Sequence, residues 1–494
     1  MQLFKNTIAL IHSFIPVFIW LVPSLLVATE AVKNPQGERP NFLIIMVDDI
    51  SPNAFSCYGN TEYQTPNVDA LAQGGVFFDM AWATPMCSPS RALLTTGRYP
   101  SRTGVWHNDL RVKVGDYGRW DYALGHLTFA RVLREQGYRT AITGKQMALG
   151  YYLPDSEYVG YDEYYLHINE NGKLPEDGSF DGLFEGKWKF PGSKPVPSRF
   201  WHPAITHNGA LVDTDAEDFA PDLYTDYLID FMERHRDQAF LAYFPMNLVH
   251  DIAGGGLPTV PEAGSVGSNT GGNLVDLNLY VDAMVGRIVD ALDRLEIREN
   301  TIIIFASDNG TSGASKMHAT EEGPRVPFIV NCPGLIEKRG MTQALMEFAD
   351  VFPTILDFAG VDLPEGYAID GLSMKDFLLG ETNAYRDSIV SYIATARMAR
   401  TQDWLLEAVD PVYGSAEGRL YRCNGSMSKA DYTLITDFSS SEVQAARVAL
   451  FRALERNPFP NLKDPVVRAE VERYDTMPYQ HFLEKYKQLG EQKL

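Results

Sequence analysis

The stretch Arg39–Ser51, "RPNFLIIMVDDIS", decides the fold. A charged start gives way to an unbroken apolar run, Phe42 to Val47, and then to two aspartates, Asp48 and Asp49. A strand with one wet face alternates apolar and polar side chains. A run without alternation belongs to a strand buried on both faces, as in a parallel sheet. The pattern recurs downstream. In "TPNVDALAQGGVFF", Thr65 reads as an N-cap, Pro66 as the first helical residue, and Gly74 and Gly75 as the stop. "LTFARVLREQGYRTAITGK" reads as a helix closed by Gly137, then a strand, then a glycine turn carrying Lys145. "LYTDYLIDFMERHRDQAFLAYFPMNLVH" repeats helix then strand and ends at His250. "DLNLYVDAMVGRIVDALDRLEIRENTIIIFASDNG" repeats them again and ends at Asp308 and Asn309. Helices alternating with apolar strands predict an α/β fold built on a large doubly wound mixed sheet sandwiched by helices. Asp48, Asp49, Lys145, His250, Asp308 and Asn309 then all fall just past strand C-termini. Open α/β sheets bind their ligands at that edge.

The chain has 494 residues, which suits one large domain with a smaller companion, or two comparable ones. Its formal net charge of −21 argues against a nucleic-acid partner, since phosphate binding needs clustered Lys and Arg. It leaves room for a locally basic pocket that takes a small anion, although solubility alone accounts for an acidic surface. The N-terminus, "MQLFKNTIALIHSFIPVFIWLVPSLLVATEA", has a basic Lys5, an apolar stretch from Thr7 to Val27 and small residues at Ala28–Ala31. Residues 1–31 therefore read as a signal peptide, with an uncleaved membrane anchor as the rival. Pro16 and Pro23 weaken a spanning helix and favour cleavage. Either way the body is expected outside the cytoplasm, periplasmic or secreted.

Residues 38–380 are expected to form the main domain. Tyr151–Ala220 is rich in Gly, Pro, aromatics and acids and reads as a long insertion over the active edge, where Trp188, Phe200 and Trp201 offer faces for stacking on sugar or aryl rings. After about Gly380 the alternation fades. "DSIVSYIATA", "DWLLEAV" and the serine-capped "SSSEVQAARVALFRAL" predict a smaller C-terminal α+β domain over residues 381–494.

Asp48, Asp49, Asp308 and Asn309 bring hard oxygen donors to two strand ends, a set suited to Ca2+ or Mg2+ rather than zinc. Asp and Asn also end strands simply because they turn well, and that explanation suffices for either pair alone. Two pairs on one sheet shift the balance towards metal. Cys87 opens "CSPSRALLTTG", with Pro89 in the first helical turn and Arg91 one turn on. A helix N-terminus stabilises anions and is expected to lower a thiol pKa. A buried inert thiol and a disulfide are the alternatives. Cys57, Cys332 and Cys423 are the other cysteines, and their spacing shows neither a disulfide framework nor a CxxC site.

"CSPSRALLTTG" resembles the sulfatase signature, C-x-P-x-R followed by T-G, matched at Cys87, Pro89, Arg91, Thr96 and Gly97. "NFLIIMVDDI" and "TIIIFASDNG" are similar to that family's two metal strands. "GRYPSRTGV", "RFWHPAITHNG", "FLAYFPMNLVH", "EEGPRVPFIV" and "DVFPTILDFAGV" resemble further stretches of it. The resemblance implies an alkaline-phosphatase-like fold and hydrolysis of an aryl or carbohydrate sulfate ester. It implies that Cys87 is oxidised to formylglycine by a formylglycine-generating enzyme, and that Ca2+, in preference to Mg2+, is held by Asp48, Asp49, Asp308, Asn309 and the modified Cys87. It further implies that Arg91 contacts the formylglycine, that Lys145 and Lys316 bind sulfate, and that His250 lies near the leaving-group oxygen. Lys316 stands nine residues before Arg325, the spacing of the family's second lysine. The substrate implied is a sulfated small molecule or glycan.

One departure stands out. Where the family usually continues its lysine motif as K-W-H-L-G, this chain reads "KQMALG", without the histidine. His107 and His318 are the candidates to replace it, although a surface or substrate-contacting histidine is the plainer account of each. The rivals to sulfate-ester hydrolysis are a phosphodiester or phosphonate monoester hydrolase of the same superfamily, and a weakly catalytic binding protein for sulfated glycans. Asn309 and Asn424 each begin an N-glycosylation pattern, and the first doubles as an expected metal ligand.

Overall fold

The structure is a computed structural model and describes residues 39–108, 126–145, 159–168, 184–187, 195–252, 255–262, 267–412 and 414–458. The expected signal peptide, the segment Gln146–Gly150 and Trp188 lie outside the described residues. Among the described residues no helix is long and apolar enough to cross a membrane.

The strands run in chain order as β1 (Asn41–Val47), β2 (Val76–Trp82), β3 (Arg139–Gly144), β4 (Glu163–His167), β5 (Phe184–Lys187), β6 (Pro195–Pro197), β7 (Ile205–His207), β8 (Ala210–Leu211), β9 (Phe240–Pro245), β10 (Thr301–Ser307), β11 (Phe328–Asn331) and β12 (Gly340–Glu347). Ten of them form one sheet in the order β12-β2-β11-β10-β1-β9-β3-β4-β7-β8. Its centre, β10-β1-β9-β3-β4, is parallel. β11 runs antiparallel between β10 and β2, and β7 and β8 close the other side antiparallel, so the sheet is mixed.

The unbroken apolar run of β1 has the cause inferred from sequence. Phe42, Ile44 and Met46 enter one core with the helices Cys87–Thr96, Phe129–Glu135 and Val351–Ala359. Leu43, Ile45 and Val47 enter the opposite core with the helices Pro66–Gln73, Ala220–Arg234 and Leu274–Arg294. Every residue of Phe42–Val47 is at most 1% exposed, so neither face tolerates a polar side chain.

A second, antiparallel sheet follows: β13 (Ile389–Ile393), β14 (Ala396–Arg400), β15 (Trp404–Val409), β16 (Arg419–Arg422) and β17 (Thr433–Leu434), in that spatial order. The helix Ser441–Leu454 packs on it, started by Ser440, whose side chain accepts from Val443 N. Met80, Trp82 and Leu345 of the large sheet share an apolar cluster with Ile389, Met398, Leu405, Cys423 and Met427 of the small one.

Two expectations need correcting. Tyr151–Ala220 is not solely an insertion over the edge, because β4, β7 and β8 extend the main sheet. These strands are short, with too few residues to show a period. Phe200 and Trp201 are core residues rather than stacking faces. They are 0% and 5% exposed, Trp201 packs on Phe219 with ring centroids 4.8 Å apart, and its Nε1 donates to the Thr259 carbonyl at 2.9 Å.

Candidate active site

Register brings the two acidic pairs together. β1 and β10 are parallel neighbours with Val47 opposite Ser307, so Asp48–Asp49 and Asp308–Asn309 leave the sheet side by side. Asp49 turns at once into the left-handed region, φ 63°, a conformation that Asp tolerates better than most residues. Its N–H donates to Asp308 Oδ1 at 3.1 Å. The extension of β9 locks onto the same turn: Asp48 N donates to Leu248 O at 2.7 Å, and Val249 N to Asp48 O at 2.9 Å. His250 follows directly. On β3, Gly144 takes φ 113°, and a Cβ there would stand 2.3 Å from the Pro245 carbonyl oxygen. Glycine is thus required just before Lys145, whose N–H donates to that same oxygen at 2.6 Å.

Cys87 opens the buried helix Cys87–Thr96. Its Sγ lies 3.9 Å from both Asp48 Oδ1 and Asp49 Oδ1. Arg91, one turn on, donates through Nε and Nη2 to Asp308 Oδ2 at 3.0 and 2.7 Å, and Nη2 lies 3.4 Å from Asp48 Oδ2. The Lys145 ammonium meets Asp48 Oδ2 in a close ion pair. Lys316 Nζ donates to Asp49 Oδ2 at 2.6 Å and lies 3.4 Å from His250 Nε2. Every residue expected at the site is therefore in it or in contact with it. Three carboxylates face three cations, all of them largely buried.

The electrostatics follow from burial and pairing. Burial opposes charge at Asp48, but Lys145, His250, Arg91 and Lys316 outweigh it and hold the carboxyl far below the usual carboxylate range. Burial, with Asp48 beside it, raises Asp308 to about 6. Burial also opposes charge at Lys316, yet Asp49 and the neighbouring acids raise its pKa and keep the ammonium protonated. The expected low pKa of Cys87 is reversed. Burial pushes the thiol up to about 12, with Asp308 and Asp48 adding to it, and Lys316 and Lys145 offset this only in part. Desolvation and the nearby carboxylates outweigh what a helix N-terminus lends a thiolate. As a plain thiol, Cys87 is a poor nucleophile.

The donor set fits a hard cation. Asp48 and Asp49 each offer a carboxylate oxygen within 4.8 Å of ligand atoms of Cys87 and His250. The buried Asn309 Oδ1 has no hydrogen-bond partner, while its Nδ2 donates to Asp49 Oδ1 at 2.7 Å. A buried carbonyl oxygen without a donor, among carboxylates, is what a Ca2+- or Mg2+-type ion accepts. Asp308 is engaged differently, with one oxygen on Arg91 and the other on the Asp49 N–H.

Two neighbours of His250 escaped the sequence reading. His250 Nδ1 lies 2.7 Å from the Asp251 carbonyl oxygen, which only accepts, so Nδ1 carries a hydrogen; Nε2 lies 3.4 Å from Lys316 Nζ and 3.6 Å from Asp49 Oδ2. Arg199 Nη1 sits 3.2 Å from that same carbonyl and 3.2 Å from His250 Nδ1. Asp251 was signalled by adjacency to His250; Arg199, fifty-one positions away, had no signal. His107 is buried, and His318 is half-buried on the loop that carries Lys316. All four cysteines are free thiols.

The sulfatase family model matches residues 40–361, more than half of the chain. An N-acetylgalactosamine-6-O-sulfatase of Bacteroides thetaiotaomicron is 29% identical over 443 residues, covering 75% of this chain and 83% of that protein. In fold, the chain is similar to the structure of Ps i-CgsB in complex with k-i-k-neocarrahexaose, with TM-score 0.66 and 23% identity over 90% of this chain and 100% of that one. It is also similar to the structure of BT4656 in complex with its substrate D-glucosamine-2-N,6-O-disulfate, with TM-score 0.60 and 19% identity over 85% and 98% of the two chains. The signature at Cys87, the paired acids on β1 and β10 and the match across both strands lead to one conclusion: this chain belongs to the sulfatase family, a group of sulfate-ester hydrolases.

Proposed function

We propose that the protein removes sulfate from a sulfated carbohydrate, with aryl sulfates as surrogate substrates, using a formylglycine made from Cys87 and a Ca2+ held by Asp48, Asp49, Asp308 and Asn309. The observation that carries the reading is the placement of Cys87 Sγ, 3.9 Å from two carboxylate oxygens at the start of a buried helix. A thiol raised to about 12 does no chemistry there as a thiolate, so the residue makes sense as a precursor. Once formed, formylglycine supplies a hydroxyl nucleophile, and Ca2+ supplies positive charge against the sulfate oxygens.

The chain's own groups do the rest. Lys145 and Lys316 bind and neutralise the sulfate. Arg91 steadies the residue at position 87. Lys316 Nζ holds the proton destined for the departing alcohol oxygen, and His250 Nε2, 3.4 Å from it, orients the ammonium and that oxygen. Asp251 and Arg199 fix the His250 ring. Burial of all three acids excludes water and strengthens each of these interactions. The carbohydrate assignment draws on the sulfated sugar bound by one structural neighbour and the galactosamine sulfatase among the relatives. Export to the periplasm or medium belongs to the same proposal, supported by the apolar stretch Thr7–Val27.

The test is the mass of the peptide containing Cys87, from protein made with a formylglycine-generating enzyme. The aldehyde form is expected, together with sulfate release that Cys87→Ala abolishes. An unmodified thiol, or full activity in Cys87→Ala, sinks the mechanism. Faster phosphate than sulfate release from matched aryl esters moves the assignment to a phosphoester or phosphonate hydrolase.

A further inference from the structure

Lys316 sits on a long connection, Asn309–Arg325, between β10 and β11. A lysine has a flexible four-carbon stem, so its ammonium is only as well placed as the backbone beneath it. The near end of the connection is held by the loops that follow β1 and β2. Ser315 Oγ meets Ser51 Oγ at 3.0 Å, Thr311 N donates to Ser51 Oγ at 3.0 Å, and Met317 N donates to Pro85 O at 2.8 Å. Met317, next to Lys316, has φ 70°, a left-handed conformation that a non-glycine residue keeps only where its surroundings enforce it.

The far end is held by the small sheet. Ala408 N donates to Ala319 O at 3.0 Å, and Glu321 N to Glu407 Oε2 at 3.1 Å. Arg400 Nη1 donates to Glu321 Oε2 at 2.6 Å, and the Tyr432 hydroxyl to Glu321 Oε1 at 2.8 Å. Arg325 Nη1 reaches the Met427 carbonyl at 2.6 Å. Arg400 and Glu321 are 0% and 2% exposed. Burying such a pair gains little stability over apolar side chains, because desolvation offsets the attraction. What the pair does supply is one fixed geometry, five residues beyond Lys316.

We propose that Arg400 is a positioning residue for Lys316: through Glu321 it pins the segment from Lys316 to Glu321, so that the ammonium stays on Asp49 and beside His250. The small sheet then shapes the active site without supplying a group that touches the substrate. The inference rests on the reading that Lys316 serves the leaving group.

The experiment compares the formylglycine-bearing protein with Arg400→Met, Lys316→Ala and the double variant, on aryl sulfates of graded leaving-group pKa. In Arg400→Met, kcat is expected to fall about tenfold to a hundredfold, KM to rise by less than that, and the loss to grow as the leaving group worsens. The double variant should be no slower than Lys316→Ala alone, because both changes remove the same function. A loss equal across the series, or one that multiplies with the Lys316→Ala loss, overturns the proposal. Amide exchange over residues 311–323 provides a readout without substrate. It should speed up in Arg400→Met while β1 and β10 keep their protection, and unchanged exchange overturns the proposal. If the wild type releases no sulfate, the proposed function fails, and the exchange result still decides whether Arg400 holds the loop. Should Arg400→Met not fold, Tyr432→Phe removes the hydroxyl that donates to Glu321 and accepts from Arg400 Nη1 at 2.8 Å while leaving the Arg400–Glu321 ion pair, and should show the same pattern at a few-fold size. Absence of that pattern overturns the proposal as well.

Discussion

Two clusters of buried charge sit on the same large sheet, and they are built on opposite terms. The first surrounds Cys87. The second joins the end of β12 and the helix Val351–Ala359 to the small sheet, through Glu347, Asp350 and Arg386. Glu347 and Asp350 are both 0% exposed, as Asp48 and Asp308 are. In the second cluster every carboxylate oxygen accepts from the protein. Glu347 takes Val390 N at 2.8 Å, Arg386 Nη1 at 3.1 Å and the Tyr99 hydroxyl. Asp350 takes Arg386 Nε at 2.9 Å, Leu372 N at 2.8 Å, Glu347 N at 3.2 Å and the Tyr385 hydroxyl at 3.2 Å. In the first cluster Arg91 Nη1, Asn309 Oδ1 and Ser88 Oγ are buried without a hydrogen-bond partner, and two carboxylate oxygens face only a distant sulfur and an amide. A closed network is architecture. An open one at the C-terminal edge of parallel strands is held ready for a ligand.

The sharpest way to break this comparison is Lys145→Ala. Removing one preorganised cation from a developing sulfate charge should lower kcat about a hundredfold to a thousandfold, read from initial rates of aryl sulfate hydrolysis. Its stability loss in urea should be smaller than that of any substitution in the closed cluster. A variant that unfolds readily yet keeps its rate when folded would make Lys145 architectural and erase the distinction.

Arg386→Met asks the converse question. It strands the buried Asp350, whose other donors are neutral, and leaves Glu347 with Arg456 Nη2 at 3.8 Å as its remaining cation; breaking such a network typically costs about 3–5 kcal/mol. Urea unfolding should show that loss, while kcat per folded molecule stays at the wild-type value. A fall in kcat with stability intact would place the second cluster in the catalytic machinery.

The same contrast explains what could be read in advance. β1 and β10 were legible because both of their faces are buried, which leaves an apolar run that ends abruptly in acids. Lys145 and His250 were legible by position, each just past a strand. The pairing that makes the site, Val47 opposite Ser307, joins segments 260 positions apart and has no local signature. The direction of the Cys87 shift was misread for a related reason. A helix start is visible in sequence, but three acids converging from two other strands are not. Arg400 and Glu321, separated by 79 positions, form their pair only because the small sheet docks on the loop. β4, β7 and β8 were missed because strands of five, three and two residues are too short to carry a period.

The smallest expected effect tests a third, minor cluster on the closed side. Arg98 Nη1 lies 2.9 Å from His126 Nδ1, and the Arg98 guanidinium stacks on Tyr367 at 3.5 Å. A guanidinium only donates, so Nδ1 must be unprotonated for this bond to exist. Burial, with Arg98 beside it, accordingly pushes His126 down to about 4. In the unfolded chain the same imidazole takes its proton near its ordinary value of 6.5. Between those two values the unfolded state binds more protons than the folded one, so this group's contribution is fully present above about 6.5 and is lost as pH falls towards 4. Melting midpoints of the wild type should therefore drop over that window. His126→Gln, which has no proton to gain, should show a shallower fall, with sulfate release at neutral pH untouched. Equal slopes for the two proteins would mean that the Arg98–His126 bond opens before the imidazole is asked to charge, and that this cluster is less closed than its geometry states.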